Sequence, residues 1–145
     1  MSYFPDLSPY GRPELIAVGW LEAGKPFSQG DVSEGFFDKL TELLVDPWEP
    51  AISCGLHRCQ FCRFSGGPGG FRYKDRDIIL GASNLYVPDR GKLLVAPSLI
   101  LHYIDAHGYS PPKEFQDAVL RCPRMRSMDY LKALLQNAPK GFVKS

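Results

Sequence analysis

The sequence predicts an α+β fold, a small antiparallel β-meander packed with about four helices and carrying a zinc-knuckle-like loop. Short apolar runs of β type are grouped between residues 71 and 96, and helical periodicity lies before and after that group, so strands and helices do not alternate. The 145 residues are 44% hydrophobic and 23% charged, the composition of one ordinary globular domain. We therefore expect a single domain over 1–145.

The beginning of the chain predicts an irregular segment followed by a strand. Residues 1–13 contain three aromatic rings and three prolines, which is typical of irregular chain that its rings hold to the body. Residues 14–21 form a short apolar, partly β-branched run, and Gly24 follows it. This run is the first predicted strand.

The clearest helix signal lies between residues 31 and 45. Asp31 and Glu34 have the spacing of a capping box, in which the N-cap residue and a residue of the first turn exchange hydrogen bonds. Apolar residues then recur every three or four positions until a proline ends the pattern. We expect this helix to turn Phe37 and Leu40 toward the core.

Four short β-type runs predict the meander, and Pro97 predicts the helix that follows it. Proline suits the first turn of a helix, the apolar pattern continues to about His107, and Gly108 is typical of a helix end. The four runs cover residues 71–74, 77–80, 85–87 and 93–96.

Two more helices are predicted in the last third of the chain. Pro111 and Pro112 open the first, and Ser127 has the position of an N-cap for the second. Residues 121–145 carry six basic side chains and one acidic one, so we expect a basic C-terminal helical extension there. The expected apolar side of the last helix consists of Met128, Leu131, Leu134 and Leu135.

Charge and hydropathy exclude several classes of protein. No run reaches the roughly 18 apolar residues of a membrane span, and the start lacks the pattern of a secretory leader, so we expect a cytoplasmic protein with no membrane contact.

The net charge is +1, but the charges are unevenly distributed along the chain. Residues 1–57 carry three basic and nine acidic side chains, whereas residues 58–92 carry seven basic and three acidic ones, and we expect the two segments to pair or to face water.

Three of the four cysteines and one of the three histidines fall within nine residues, at Cys54, His57, Cys59 and Cys62. In a Cys-x-x-Cys pair both thiolates can turn toward one ion, which is why this spacing recurs in zinc knuckles. Zinc prefers four tetrahedral ligands, and so short a loop would be strained to supply all of them. We therefore expect one ligand from elsewhere, His102 on the predicted helix.

His107 is the other candidate for the distant ligand. It is five residues from His102, about 140° around a helix, so we expect that the two cannot both face one ion. His107 also lies at the end of the predicted helix, where the last turn frays. Reduced thiols that bind nothing, or a redox pair formed by Cys59 and Cys62, are the alternatives to a metal.

Five landmarks occur in order along the chain, and together they resemble a family of short uncharacterised bacterial proteins over roughly residues 3–119. The resemblance implies a bacterial cytoplasmic protein with no established activity. It favours a zinc site made of His57, Cys59, Cys62 and His102, without Cys54. The landmarks are YFxDLSxY from Tyr3, GWL from Gly19, HxCxxC from His57, PxLIxHYI from Pro97 and HGYxPPxxF from His107.

The leading functional hypothesis is a binding module in which structural zinc holds the cysteine-containing loop against the helix and another protein is the partner. The alternative is a zinc-dependent hydrolase that uses His57, Cys59 and Cys62 as ligands and keeps a water on the metal, with Asp105 or His107 as the base. Neither base stands in a recognisable catalytic pair. We therefore assign no catalytic residue.

A third hypothesis is a nucleic-acid-binding module. Basic residues alternate with aromatic ones after the cysteines, and single-stranded nucleic acids bind to such surfaces. Aromatic residues in a meander more often belong to the core, so this hypothesis ranks below a protein partner. The basic residues are Arg58, Arg63, Arg72, Lys74 and Arg76.

Overall fold

The computed structural model describes residues 3–50, 58–62 and 67–143, and these ranges contain six strands and four helices. The α+β class predicted from the sequence is confirmed. The strands are β1 (Pro9–Tyr10), β2 (Arg12–Ala17), β3 (Gly70–Tyr73), β4 (Arg76–Ile79), β5 (Asn84–Asp89) and β6 (Lys92–Pro97). The helices are α1 (Glu34–Leu44), α2 (Ile100–His107), α3 (Lys113–Arg121) and α4 (Met128–Asn137).

A mixed four-stranded sheet lies at the centre of the fold, with the strand order β1-β2-β6-β5. β2 runs parallel to β6, with Leu15 opposite Leu93 and Ala17 opposite Val95, whereas the two outer pairings are antiparallel. β3 and β4 form a separate antiparallel hairpin. The four runs predicted as one meander are therefore strands of two different sheets.

The burial of each strand explains why the predicted meander divides. β6 is buried at every position after its first residue, as a strand between two neighbours and two covered faces must be. β3 alternates between exposed and partly buried residues, which is the pattern of a hairpin with one covered face. The second edge of β6 is covered by β2, a strand about 75 residues away in sequence, and local patterns carry no signal for such a pairing.

Helix α1 begins at Glu34, three residues later than predicted. The N-cap is Ser33 rather than Asp31, because the Ser33 backbone is extended and its hydroxyl accepts a hydrogen bond from the N–H of Phe36 at 3.1 Å. Of the two predicted core residues, Leu40 is fully buried, whereas Phe37 is only partly buried and the neighbouring Phe36 is fully buried instead. The predicted N-cap, Asp31, was therefore wrong by two residues.

Helix α2 carries two of the three histidines, and its position is set by the sheet. It begins at Ile100 rather than at Pro97, because Pro97 is the last residue of β6. It ends at His107 as predicted, and Gly108 closes it in the left-handed conformation with φ 68°. Its first five residues are all buried, His102 among them.

Helix α4 has the predicted cap but a different buried face. The Ser127 hydroxyl accepts a hydrogen bond from the N–H of Tyr130 at 3.1 Å. Tyr130 and Leu134 are buried, whereas Met128 and Leu135 are 68% and 53% exposed. The Tyr130 hydroxyl donates to a backbone carbonyl of β5 at 2.6 Å. A tyrosine outside the predicted stripe therefore anchors this helix.

Aromatic rings hold the N-terminal segment to the body, as its composition predicts. Phe4 and Tyr10 pack against Trp20, with ring centroids 5.8 and 4.8 Å away. Asp6 accepts a hydrogen bond from the Tyr109 hydroxyl at 2.8 Å. The segment is thereby fixed to the region that follows α2.

The four helices are all short. α1 has 11 residues, α4 has 10, α3 has 9 and α2 has 8. Among the described residues, no helix combines the length and the hydropathy needed to cross a bilayer.

Substitution of Leu40 by alanine tests the packing of α1. Leu40→Ala is expected to lower the free energy of unfolding by about 2 to 5 kcal/mol, because removal of a fully buried side chain leaves a cavity. Chemical denaturation followed by circular dichroism measures the change. Leu135→Ala is the matched control, and at a side chain 53% exposed it should change stability by less than about 0.5 kcal/mol. Equal losses at the two positions would contradict the packing described above.

Candidate metal centre

The described part of the cysteine-containing region, residues 58–62, lies against α2 and is here called the cysteine loop. The Gln60 side-chain oxygen accepts a hydrogen bond from the N–H of Ala23 at 3.0 Å. The Phe61 ring packs edge-on against Tyr103, with ring centroids 5.9 Å apart. These two residues lie between the cysteines, so they fix the direction in which both thiols point.

The backbone of the cysteine loop also acts on the Cys59 thiol. Its N–H groups at Phe61 and Cys62 lower the pKa of that thiol, although burial has the larger, opposite effect. Such N–H donors stabilise a thiolate, and this is the feature that makes the Cys-x-x-Cys spacing suitable for zinc. The described part of the predicted zinc-knuckle-like loop, residues 58–62, therefore has a backbone arrangement that suits a Cys-x-x-Cys metal site.

Two cysteines and two histidines form one compact cluster. The Cys62 Sγ atom lies 3.1 Å from His102 Nε2 and 3.6 Å from His107 Nε2. The Cys59 Sγ atom lies 3.4 Å from His107 Nε2, and the two Nε2 atoms are 3.2 Å apart. All four atoms lie within 4.8 Å of one another. Both cysteines are free thiols rather than a disulfide.

These distances agree with the edges of a metal-centred tetrahedron. With zinc–sulfur bonds of about 2.3 Å and zinc–nitrogen bonds of about 2.05 Å, tetrahedral angles place sulfur about 3.6 Å from nitrogen and two nitrogens about 3.3 Å apart. Three of the four sulfur–nitrogen distances in the cluster are 3.1 to 3.6 Å, the nitrogen–nitrogen distance is 3.2 Å, and every pair of ligand atoms lies within 4.8 Å. The four side chains could therefore hold one metal ion.

Burial determines the protonation of two of the four side chains. Cys59 is 2% exposed, and this burial raises the pKa of its thiol above the ordinary value. Burial, followed by the charge of the neighbouring His107, lowers the pKa of His102, although Asp105 opposes the shift. At neutral pH the His102 imidazole is therefore neutral and offers a lone pair to a metal. Cys59 must lose its proton when a metal binds.

Gly67 brings the backbone of the chain close to the cluster. Its φ of +90° lies in the left-handed region that glycine alone adopts at little cost. A Cβ atom added there would lie 2.9 Å from the Cβ of Cys59 and 3.4 Å from the Nε2 of His102. The chain can approach the thiol and the imidazole this closely only because residue 67 has no side chain.

The cluster differs from the ligand set predicted from the sequence by its inclusion of His107. Three predicted ligands, Cys59, Cys62 and His102, are brought together. The fourth, His57, lies outside the described residues, as does Cys54. The expectation that His102 and His107 cannot face one point was wrong.

The error came from predicting where each imidazole ring lies from the position of its Cβ atom around the helix alone. The two Cα atoms do diverge by about 140° around the helix, but Nε2 is the imidazole atom farthest from the backbone. The two rings lean together, with centroids 4.9 Å apart and an interplanar angle of 87°. The length of the two imidazole side chains was therefore the signal that could have indicated this pair.

A family model described as a domain of unknown function, DUF7919, matches residues 2–120. The chain belongs to this family. The match includes all four members of the cluster and ends before α4, in agreement with the expected extent of the uncharacterised family. No curated protein and no solved structure shows significant similarity to this DUF7919 chain.

Ion pairs occupy three of the basic residues considered for nucleic acid. Arg72 pairs with Asp77 at 2.7 Å, while Lys74 and Arg76 pair with Asp38 at 2.7 and 3.1 Å. The pairs with Asp38 join the acidic first segment of the chain to the basic second one, as expected from the charge distribution. The basic surface of the hairpin is thereby largely compensated by carboxylates. Arg63 lies outside the described residues.

Gly67→Ala is expected to weaken metal binding about tenfold or more, because a left-handed alanine and its close contact with Cys59 cost about 1 to 3 kcal/mol, and relief of this strain displaces the Cys59 ligand. Competition with a chromophoric chelator measures the affinity. Gly69→Ala is the matched control, since an added Cβ there meets nothing within 4 Å. Equal affinities for the two variants would mean that the backbone at Gly67 does not border the metal.

Proposed function

We propose that the protein is a zinc-stabilised interaction module. In this proposal one zinc ion is bound by Cys59, Cys62, His102 and His107, it fixes the cysteine loop on α2, and another protein binds to the surface formed around it. The observation that carries the proposal is the convergence of two thiols and two imidazole nitrogens at distances that fit one tetrahedron.

The donor set favours zinc over other metals. Thiolate and imidazole ligands in a four-coordinate arrangement are those that zinc selects, whereas calcium and magnesium require oxygen ligands. The contacts of Gln60 with Ala23 and of Phe61 with Tyr103 bring the cysteine loop to α2, so the site is partly preorganised before the ion fixes it. A preorganised site loses little conformational entropy when the ion binds.

Four protein ligands favour a structural ion over a catalytic one. A catalytic zinc keeps one coordination position for water, whereas a structural zinc has all four filled by side chains. The pairs Cys59–Cys62 and His102–His107 come from segments about 40 residues apart, so an ion between them joins two elements that the chain does not connect directly. This supports a stabilising role and weighs against the hydrolase alternative.

The proposal includes the bacterial cytoplasm as the location. Zinc binds the thiolate form of cysteine, and the thiols stay reduced in the cytoplasm. Burial of Cys59 also protects one of the two thiols from solvent. A protein that uses a structural ion in this way acts through its surface, which supports a protein partner.

Substitution of each ligand tests the metal site. Cys59→Ser, Cys62→Ser, His102→Ala and His107→Ala should each reduce the zinc content from one ion per chain to well below one, because each removes a quarter of the coordination shell. Native mass spectrometry of protein purified without added metal measures the content. Cys122→Ser is the control for the loss of a thiol, since Cys122 is a free cysteine outside the cluster.

His57→Ala distinguishes the two ligand sets. If His107 completes the tetrahedron, this variant keeps one zinc ion, and if His57 is the fourth ligand it loses the ion while His107→Ala retains it. A His102→Ala protein that holds zinc and hydrolyses an activated ester would favour the hydrolase alternative, because His57, Cys59 and Cys62 would then be the ligands. Wild-type protein of metal-free mass would refute the proposal.

Acidification is expected to release the metal. Both thiols must be deprotonated to bind zinc, so two protons compete with one ion and the affinity should fall by up to about 100-fold for each pH unit of acidification. Burial raises the pKa of Cys59, which keeps its thiol protonated in the absence of metal and extends this dependence through neutral pH. Chelator competition at pH 7.5 and 6.5, with the chelator calibrated at each pH, measures the slope. An affinity that does not change would show that the thiolates are not ligands.

A further inference from the structure

A groove of about 650 Å³ lies between the start of α1, the β3–β4 hairpin and the end of α2. This is a volume that accommodates more than one side chain of a ligand. α2 supplies one wall, and the residues of that wall lie between or beside the two histidines of the metal centre. The lining residues are Gly30, Asp31, Val32, Ser33, Glu34, Phe37, Tyr73, Ile104, Asp105 and Gly108.

The charged residues that line this groove are all acidic. Asp31, Glu34 and Asp105 are exposed, and among the described residues none of the three forms an ion pair or a side-chain hydrogen bond. The neighbouring cation is Lys74, which already pairs with Asp38 at 2.7 Å. The groove therefore carries uncompensated negative charge, in contrast to the paired charges of the hairpin beside it.

The apolar part of the groove is aromatic. Phe37 and Tyr73 are half-buried and meet edge to face, with ring centroids 5.2 Å apart. The Lys74 ammonium lies 5.4 Å from the centroid of the Tyr73 ring, so one face of this ring already attracts a cation of the chain itself. Val32 and Ile104 extend the apolar lining.

We propose that this groove binds a segment of a partner protein that carries lysine or arginine side chains. Such side chains combine an apolar stem with a cationic head, and the groove offers rings for the stem together with Asp31, Glu34 and Asp105 for the head. The spread of three carboxylates over two helix ends suits several cations along a segment better than one isolated ammonium ion.

This inference rests on the proposed function, because it names the partner of the zinc-stabilised module. Ile104 and Asp105 lie on α2 between His102 and His107, and Gly108 follows directly. An ion bound to the two histidines fixes this wall relative to the cysteine loop. The metal centre and the groove thus share one helix while using different side chains.

A labelled peptide of alternating lysine and leucine tests the groove by fluorescence anisotropy on the zinc-loaded full chain. The variant Asp31→Asn, Glu34→Gln, Asp105→Asn should bind this peptide about tenfold or more weakly, because each exposed charge pair contributes a factor of about two to five. The control variant Glu22→Gln, Asp117→Asn, Asp129→Asn changes the net charge equally at carboxylates outside the groove and should bind like the wild type.

Equal weakening in the two triple variants, or no binding to the wild type, would overturn the groove proposal. Displacement of the peptide by spermidine at a similar concentration would assign the site to a small polyamine, and dimerisation lost in the first variant would assign it to a second copy of the chain. Zinc content is measured on the same samples. If the wild-type protein holds one zinc ion and does not bind the peptide, the groove proposal alone is wrong. If the wild-type protein holds no zinc ion, the metal proposal is wrong, whether or not the peptide binds.

Discussion

The cluster of two cysteines and two histidines depends on the burial of α2. Its first five residues are all buried, so the helix cannot rotate without exposing apolar surface to water. Two residues connect it to the central strand β6, and the hydroxyl of Ser98 in that connection accepts a hydrogen bond from the N–H of Gly81 at 2.8 Å. The directions of His102 and His107 are therefore set by the sheet. The cysteine loop then needs only to present two thiols to them.

Features that local chemistry controls were predicted well from the sequence. Three such features depend on the chemistry of a residue's own side chain or backbone. They are the Ser127 cap of α4, the end of α2 at Gly108 and the aromatic attachment of the N-terminal segment. The Cys-x-x-Cys spacing belongs to the same class, because two thiols three residues apart meet through local backbone geometry. The cap of α1 is the exception, because Ser33 caps the helix where the capping-box spacing predicted Asp31.

Features that depend on distant contacts could not be predicted in the same way. The parallel pairing of β2 with β6 joins segments that no periodicity relates, and it divided the predicted meander into two sheets. The inclusion of His107 depended on the tilt of its imidazole ring toward His102 and Cys59, which a helical-wheel angle does not describe. Asp38 likewise compensates Lys74 and Arg76 from a helix about 36 residues earlier. In each case the deciding contact lies outside the window in which sequence patterns are informative.

The parallel pairing of β2 with β6 also has a consequence for the order of folding. During synthesis β2 leaves the ribosome long before Leu93 to Val95, so its inner edge has no partner while the intervening residues are made. β1 covers only the other edge. An apolar strand with one open edge is a site for pairing with other chains. The N-terminal third is therefore exposed to aggregation until β6 has emerged, and a nascent chain that stalls before Lys92 keeps that edge open.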